Sequence, residues 1–238
     1  MSEDAGQDAF LAAARLAGPQ PFGLTLCACD LDAADGLAPE RARALLSEAE
    51  QARAARFRFD RDRDRYLRSA AFVRLCLAAL TGTAPAALRF ATTGNGKPVL
   101  AGAAGLQFNL SHSEGLAVLA VSAAGPVGID VELPSRRIDA AGLAGTVLTA
   151  AEQAAFGRIP ADRQTAAFLR FWTAKEARMK LTGEGMALAP RAIELRLDAG
   201  GVPAGYAAPA RPAARLAFAD LGRGGAICAV AVLAGGGA

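Results

Sequence analysis

The order of elements legible in this 238-residue chain predicts an α+β protein, a pseudo-dimer of two similar α+β halves, each with a long helix packed on a mainly antiparallel sheet. Three observations predict it. Residues 60–80 and 161–181 carry apolar side chains at helical spacing and each stretch stops at a glycine, Gly82 and Gly183. Each half also holds short segments of alternating polarity separated by glycine-rich turns, the mark of hairpin strands. Gly125-Pro126 then cuts the chain into two runs in which helices precede strands, an order that argues for segregated α+β and against an alternating parallel sheet.

The elements follow in order. Residues 1–20 are small and polar with Gly18-Pro19, and are expected to form a loose arm. The first half, 21–124, opens with a strand at 22–29. Pro39 then starts a helix at its first turn, and Ser47 with Glu50 makes a capping box for the next. Leu67, Ala71, Leu75 and Ala78 give the long helix an apolar face, and strands follow at 88–91, 98–100, 106–110 and 115–121. The second half, 125–238, has a strand at 126–132, a second capping box at Thr149 and Glu152, the helix 161–181, and strands at 192–197, 213–218 and 225–233.

Composition excludes several classes. With 53% hydrophobic, 21% charged and 6% aromatic residues the chain is neither disordered nor collagen-like. No apolar run is long enough to span a bilayer, and MSEDAGQDAF has acids where a signal peptide has bases, so a cytoplasmic monomer without a membrane partner is expected. Cys27, Cys29, Cys76 and Cys228 fail the ligand count of a structural zinc site and read as reduced, buried thiols.

A net charge of +3 is too small to imply nucleic acid, but it is unevenly placed. Arg53, Arg56, Arg58, Arg61, Arg63, Arg65, Arg68 and Arg74 crowd one stretch and point to a phosphate-bearing ligand. RNA is disfavoured, because Asp60, Asp62 and Asp64 alternate with the arginines and no aromatic stacking set is interleaved. Lys97, Lys175 and Lys180 are the chain's three lysines, and a compact ammonium serves where a guanidinium does not fit.

Four windows carry candidate chemistry. Asn95-Gly96-Lys97-Pro98 is a tight turn with backbone amides and one cation; it lacks the spacing of a P-loop and, read alone, fits a plain hairpin turn. Ser111 and His112 are neighbours that point to opposite strand faces, so they suit phosphate donors better than a hydrolase triad. Asp130 and Glu132 share one face of a strand, about 7 Å apart. They make either an ordinary solvent face or a pair of hard oxygen ligands for Mg²⁺ held jointly with a phosphate. On the last long helix Glu176 and Lys180 are i,i+4 neighbours, which alone would make a surface ion pair, while Phe168, Trp172 and Met179 fit a buried stripe.

Taken together and in order, Gly-Lys-Pro, Asn-Leu-Ser-His-Ser, Gly-Ile-Asp-Val-Glu and Phe-x-x-x-Trp-Thr-x-Lys-Glu-Ala-x-x-Lys-x-x-Gly-x-Gly resemble the Sfp-type 4′-phosphopantetheinyl transferases over residues 48–188. The resemblance implies transfer of 4′-phosphopantetheine from coenzyme A to a serine of an apo acyl or peptidyl carrier protein of fatty acid, polyketide or non-ribosomal peptide synthesis. Adenosine 3′,5′-bisphosphate would be released. It implies Asp130, Glu132 and Glu176 as ligands of Mg²⁺, with Mn²⁺ as the alternative, Glu176 as general base and Lys180 beside the transferring phosphate. Asn95, Gly96, Lys97, Pro98, Ser111 and His112 would hold coenzyme A, with Arg53 and Arg65 on its 3′-phosphate. A module that binds coenzyme A without turnover is the alternative, and the intact acidic and lysine positions speak against it.

Overall fold

The computed structural model describes residues 10–11, 14–16, 20–33, 37–102, 105–135, 137–207 and 212–235. The first half runs β1 (Thr25–Asp30), α1 (Pro39–Ala44), α2 (Glu48–Ala54), α3 (Asp60–Thr81), the hairpin β2 (Phe90–Thr92) and β3 (Pro98–Leu100), then β4 (Gln107–Ser113) and β5 (Leu116–Ser122). The second half repeats it with β6 (Val127–Glu132), α4 (Ala140–Val147), α5 (Ala150–Phe156), α6 (Ala161–Thr182), the hairpin β7 (Leu195–Leu197) and β8 (Pro203–Tyr206), then β9 (Ala214–Ala219) and β10 (Ile227–Leu233).

The topology repeats as well. One antiparallel sheet has the order β1-β5-β4 and the other β6-β10-β9. In both halves the second helix carries its capping box, Ser47 with Glu50 and Thr149 with Glu152. Both long helices span 22 residues and close on a left-handed glycine, Gly82 at φ 67° and Gly183 at φ 75°. The expected α+β pseudo-dimer is therefore the observed architecture.

Packing follows from strand alternation. Leu26, Ala28, Val118 and Ala120 of the first sheet meet Ile129, Val131 and Val230 of the second in a central core. On the outer faces, Phe72, Cys76 and Leu77 of α3 pack on Cys27, Cys29, Ala117 and Leu119, and Ala177 and Leu181 of α6 pack on Ala229 and Ala231. All four cysteines are free and buried.

Three local expectations change. Residues 1–9, 12–13 and 17–19 lie outside the described residues, but the described part of the supposed arm is anchored. Leu16 donates its N–H to Leu26 O at 3.0 Å, Ala14 is buried, and Phe10 meets Phe72 edge-on at 6.4 Å, because the apolar residues here outweigh the polar composition. The strand expected from residue 192 starts at Leu195 after a short 3-10 turn at Pro190–Ala192, and β8 is an additional strand. Part of the arginine cluster is spent on partners within the chain. Arg74 is buried against Glu50 at 2.7–2.9 Å, Arg68 donates to Leu31 O and Leu37 O, and Arg63 pairs with Asp60.

Candidate active site

Gly128 lets the site form. A Cβ there would lie 2.0 Å from Ala177 O and 2.5 Å from Leu181 N, so α6 can rest directly on the backbone of β6. That close approach carries Lys180 to Asp130, two positions further along β6. Its Nζ stands 2.7 Å from Asp130 Oδ1 and 2.9 Å from Ser111 Oγ. The ion pair expected with Glu176 is thus made with Asp130 instead, because the strand carboxylate is nearer and already desolvated. Nor do Asp130 and Glu132 form an open solvent face: both are buried, beneath α6 and beside β4.

Asp130 and Glu176 both feel burial and their acidic neighbours. Burial pushes the Asp130 carboxyl above its usual range against the pull of Lys180 and Ser111, and Glu132 adds to the rise. Burial likewise raises Glu176, reinforced by the negative charges of Asp130 and Glu132. This is the electrostatic profile of acidic groups gathered for a cation or a proton. Among the described residues no three His, Cys, Asp or Glu side chains already stand at metal-holding distance. In their place the Lys180 ammonium is the cation on Asp130. The residues nevertheless fit a hard divalent ion, because Asp130 Oδ2 is buried and accepts no hydrogen bond from the described residues. An orphaned carboxylate oxygen in such a place needs an explanation, and a bound ion supplies one.

On the other side of β4 lies a cavity of about 800 Å³ between α2, α3 and the β2–β3 hairpin. Strand alternation divides β4 between the two spaces. His112 is exposed and lines the cavity, while its neighbour Ser111 is buried among the carboxylates. Arg53 also lines the cavity, its guanidinium 5.2 Å from the centre of the Tyr66 ring.

The remaining candidates make contacts of their own within the chain. Lys97 Nζ donates to Val127 O and Lys180 O at 2.8 Å each and to Leu181 O at 3.5 Å, so its ammonium closes the end of α6. Burial brings it down to about 8. The turn amides are not free either: Gly96 N donates to Thr93 O, and Lys97 N to Thr93 Oγ1. Asn95 and Gly96 are exposed and Pro98 borders the cavity. Arg65 is committed to Asp32, with Nε 2.7 Å from Oδ1 and a second contact from Nη2 to Oδ2, which compensates its charge internally. The structure thus gathers Asp130, Glu132, Glu176, Lys180 and Ser111, leaves His112, Arg53 and the Asp32-paired Arg65 at the cavity, and holds the Lys97 ammonium at the end of α6.

What the sequence reasoning missed is Asn109 and Ser113, which join Ser111 in facing β6. The signal was available as three small polar residues at period two along one strand.

Comparison with known proteins agrees with this geometry. A profile described as the 4′-phosphopantetheinyl transferase superfamily matches residues 126–231, and one described as 4′-phosphopantetheinyl transferase, N-terminal, matches residues 39–124. The 4′-phosphopantetheinyl transferase psf-1 of Bacillus pumilus is 37% identical over 162 residues, 68% of each chain. The chain belongs to the 4′-phosphopantetheinyl transferase family. The transferase HetI of Nostoc sp. is 37% identical over 147 residues, covering 60% of this chain and 62% of that protein. The 4′-phosphopantetheinyl transferase of Bacillus subtilis is 30% identical over 159 residues, 66% of this chain and 69% of that one. The chain therefore spans about two thirds of the length of these relatives. The family's reaction moves the 4′-phosphopantetheine group of coenzyme A to a carrier-protein serine.

Proposed function

We propose that this chain carries out its family's transfer itself, with Mg²⁺ (or Mn²⁺) held by Asp130, Glu132 and Glu176 and with an apo acyl or peptidyl carrier protein as acceptor. The observation that carries the reading is the buried, unpartnered Asp130 Oδ2 beside two further carboxylates, with Asp130 and Glu176 both raised by burial and by negative neighbours. Such an ion would neutralise the pyrophosphate oxygens of coenzyme A, the charge that otherwise repels a nucleophile.

The chain's own groups do the rest. The cavity lined by His112, Arg53 and Pro98 suits the adenosine 3′-phosphate end of coenzyme A, and Arg53 carries no ion pair among the described residues. Beside Asp130, Lys180 offers an ammonium of which a quarter of the side chain remains exposed, so a phosphoryl oxygen can reach it. Glu176, raised by burial and by its acidic neighbours, is a carboxylate with enough basicity to accept the proton of the attacking serine hydroxyl. The new bond forms between the serine oxygen and the phosphorus of the pantetheine phosphate. The bond to the adenosine 3′,5′-bisphosphate breaks, and that fragment leaves with the electron pair.

The test is to incubate the protein with coenzyme A, Mg²⁺ and a panel of apo carrier proteins and to weigh the products by mass spectrometry. One carrier gaining a single 4′-phosphopantetheine is the expected result. Tight binding of coenzyme A with every carrier left unmodified would favour the regulatory module. No described helix is long and apolar enough to cross a membrane.

A further inference from the structure

The two halves meet along β4 and β6, and they meet through side chains. Asn109 Oδ1 accepts from Ile129 N at 2.8 Å, Ser111 Oγ accepts from Val131 N at 3.3 Å, and Ser113 Oγ donates to Glu132 Oε2 at 2.8 Å. The residue numbers climb together, so the strands run side by side in the same direction. Yet they belong to different sheets, and a row of short polar side chains replaces a backbone ladder. All three of these residues are buried. Asn109 contacts only backbone of β6 here, whereas Ser111 and Ser113 also hold its two carboxylates.

Ser111 is the most heavily used. Its hydroxyl hydrogen goes to Asp130 Oδ1 at 2.8 Å, and its lone pairs receive Val131 N and Lys180 Nζ. Asp130 Oδ1 is therefore pinned from two sides, by Ser111 of the first half and Lys180 of the second, and the unpartnered Oδ2 is the oxygen left over. A carboxylate free to rotate would present either oxygen.

We infer that Ser111 is a positioning residue that fixes which oxygen of Asp130 is available to the divalent cation, and that the serine row of β4 sets the cation carboxylates from the opposite half of the molecule. The inference rests on the cation site proposed above. Hydrogen bonds to metal-ligating carboxylates commonly change metal affinity by tenfold or more when removed. A residue that held only the seam would change stability and leave affinity alone.

The experiment measures Mn²⁺ binding by electron paramagnetic resonance, without coenzyme A, alongside the melting temperature. Ser111→Ala is expected to weaken Mn²⁺ binding about tenfold or more. Asn109→Ala, which disturbs the same seam away from the carboxylates, should lower the melting temperature and leave Mn²⁺ affinity within about twofold of the unaltered protein's. Ser111→Cys keeps the shape with a weaker donor and should also bind Mn²⁺ less well, which covers a failure of Ser111→Ala to fold. Wild-type affinity in the folded Ser111 variants, or an equal loss in Asn109→Ala, overturns the inference. Asp130→Ala is the separate check on the cation site: Mn²⁺ bound as in the unaltered protein would sink that reading, while its loss together with normal binding by the Ser111 variants would sink this one alone.

Discussion

The two halves share a scaffold device and differ in chemistry. In the first, Arg74 of α3 pairs with the capping-box residue Glu50 and donates to Pro85 O and Leu88 O. In the second, Lys175 of α6 pairs with the capping-box residue Glu152 at 2.7 Å and donates to Pro190 O and Ile193 O. Arg74 and Lys175 stand at the same distance before the glycines that close their helices. Counting back from those same glycines, Leu75 and the small residue Ala79 occupy the places of Glu176 and Lys180. Cys29 of β1 and Leu31 just beyond its end pack with α3, where Asp130 and Glu132 of β6 lie towards α6. What is duplicated is structural, and what occurs in one half is chemical. The comparison separates the two without reference to any other protein.

The degree of completion teaches the same lesson. Glu152 accepts from Leu195 N, Thr149 N and Lys175, and the Lys175 ammonium has three acceptors, so that pair is closed on all sides. The Lys180–Asp130 pair leaves Oδ2 unpartnered among the described residues and part of the lysine exposed. Folding alone would favour completing it.

The largest stability effect is expected where the closed pair is broken. Lys175→Ala leaves Glu152, 1% exposed, as an uncompensated buried charge and should cost about 3–5 kcal/mol by chemical denaturation. Arg74→Ala should cost less, because Glu50 is 22% exposed and can recruit water. An equal or reversed order would break the proposed equivalence.

Asp130→Ala and Glu176→Ala sharpen the contrast from the other side. Glu176→Ala removes a carboxylate raised by burial and by Asp130 and Glu132, so stability should change by no more than about 1 kcal/mol, whereas Asp130→Ala also unpairs the part-exposed Lys180 and should cost more. In both, transfer falls at least a hundredfold, about 3 kcal/mol of barrier. Near-normal turnover measured by carrier mass would place the chemistry elsewhere.

The smallest effect is the pH signature of Lys97. Its folded value of about 8 lies below the ordinary 10.5, so between those values the unfolded chain holds the extra proton. Its contribution to stability therefore rises with pH across that window and is level below it. The stability of the unaltered protein minus that of Lys97→Met should climb from pH 8 to 10 in urea titrations. A difference that stays level or falls would free Lys97 for a phosphate after all.

Much of this was legible in the sequence. Both long helices, both capping boxes and the terminal glycines are local signals, so their positions were readable within a residue or two. The carboxylates and Lys180 were readable as motifs. Their pairing was not, because the closeness of α6 to β6 depends on a missing Cβ at Gly128, a tertiary fact. The partners of Lys97 and Arg65 were hidden for a related reason: the end of α6 and Asp32 are distant from them in sequence. The duplicated ion pair was hidden because one half uses arginine and the other lysine.

The central claim, that the incomplete pair works and the complete one holds the fold, is met most directly by the turnover of folded Lys180→Ala at saturating coenzyme A and carrier protein. Stability will fall somewhat, since Asp130 loses its partner. The account predicts in addition a rate lowered by roughly 30- to 150-fold, 2–3 kcal/mol of barrier, as for other preorganised electrostatic groups. Unchanged turnover with only a lower melting temperature would make Lys180–Asp130 a second scaffold pair and contradict it.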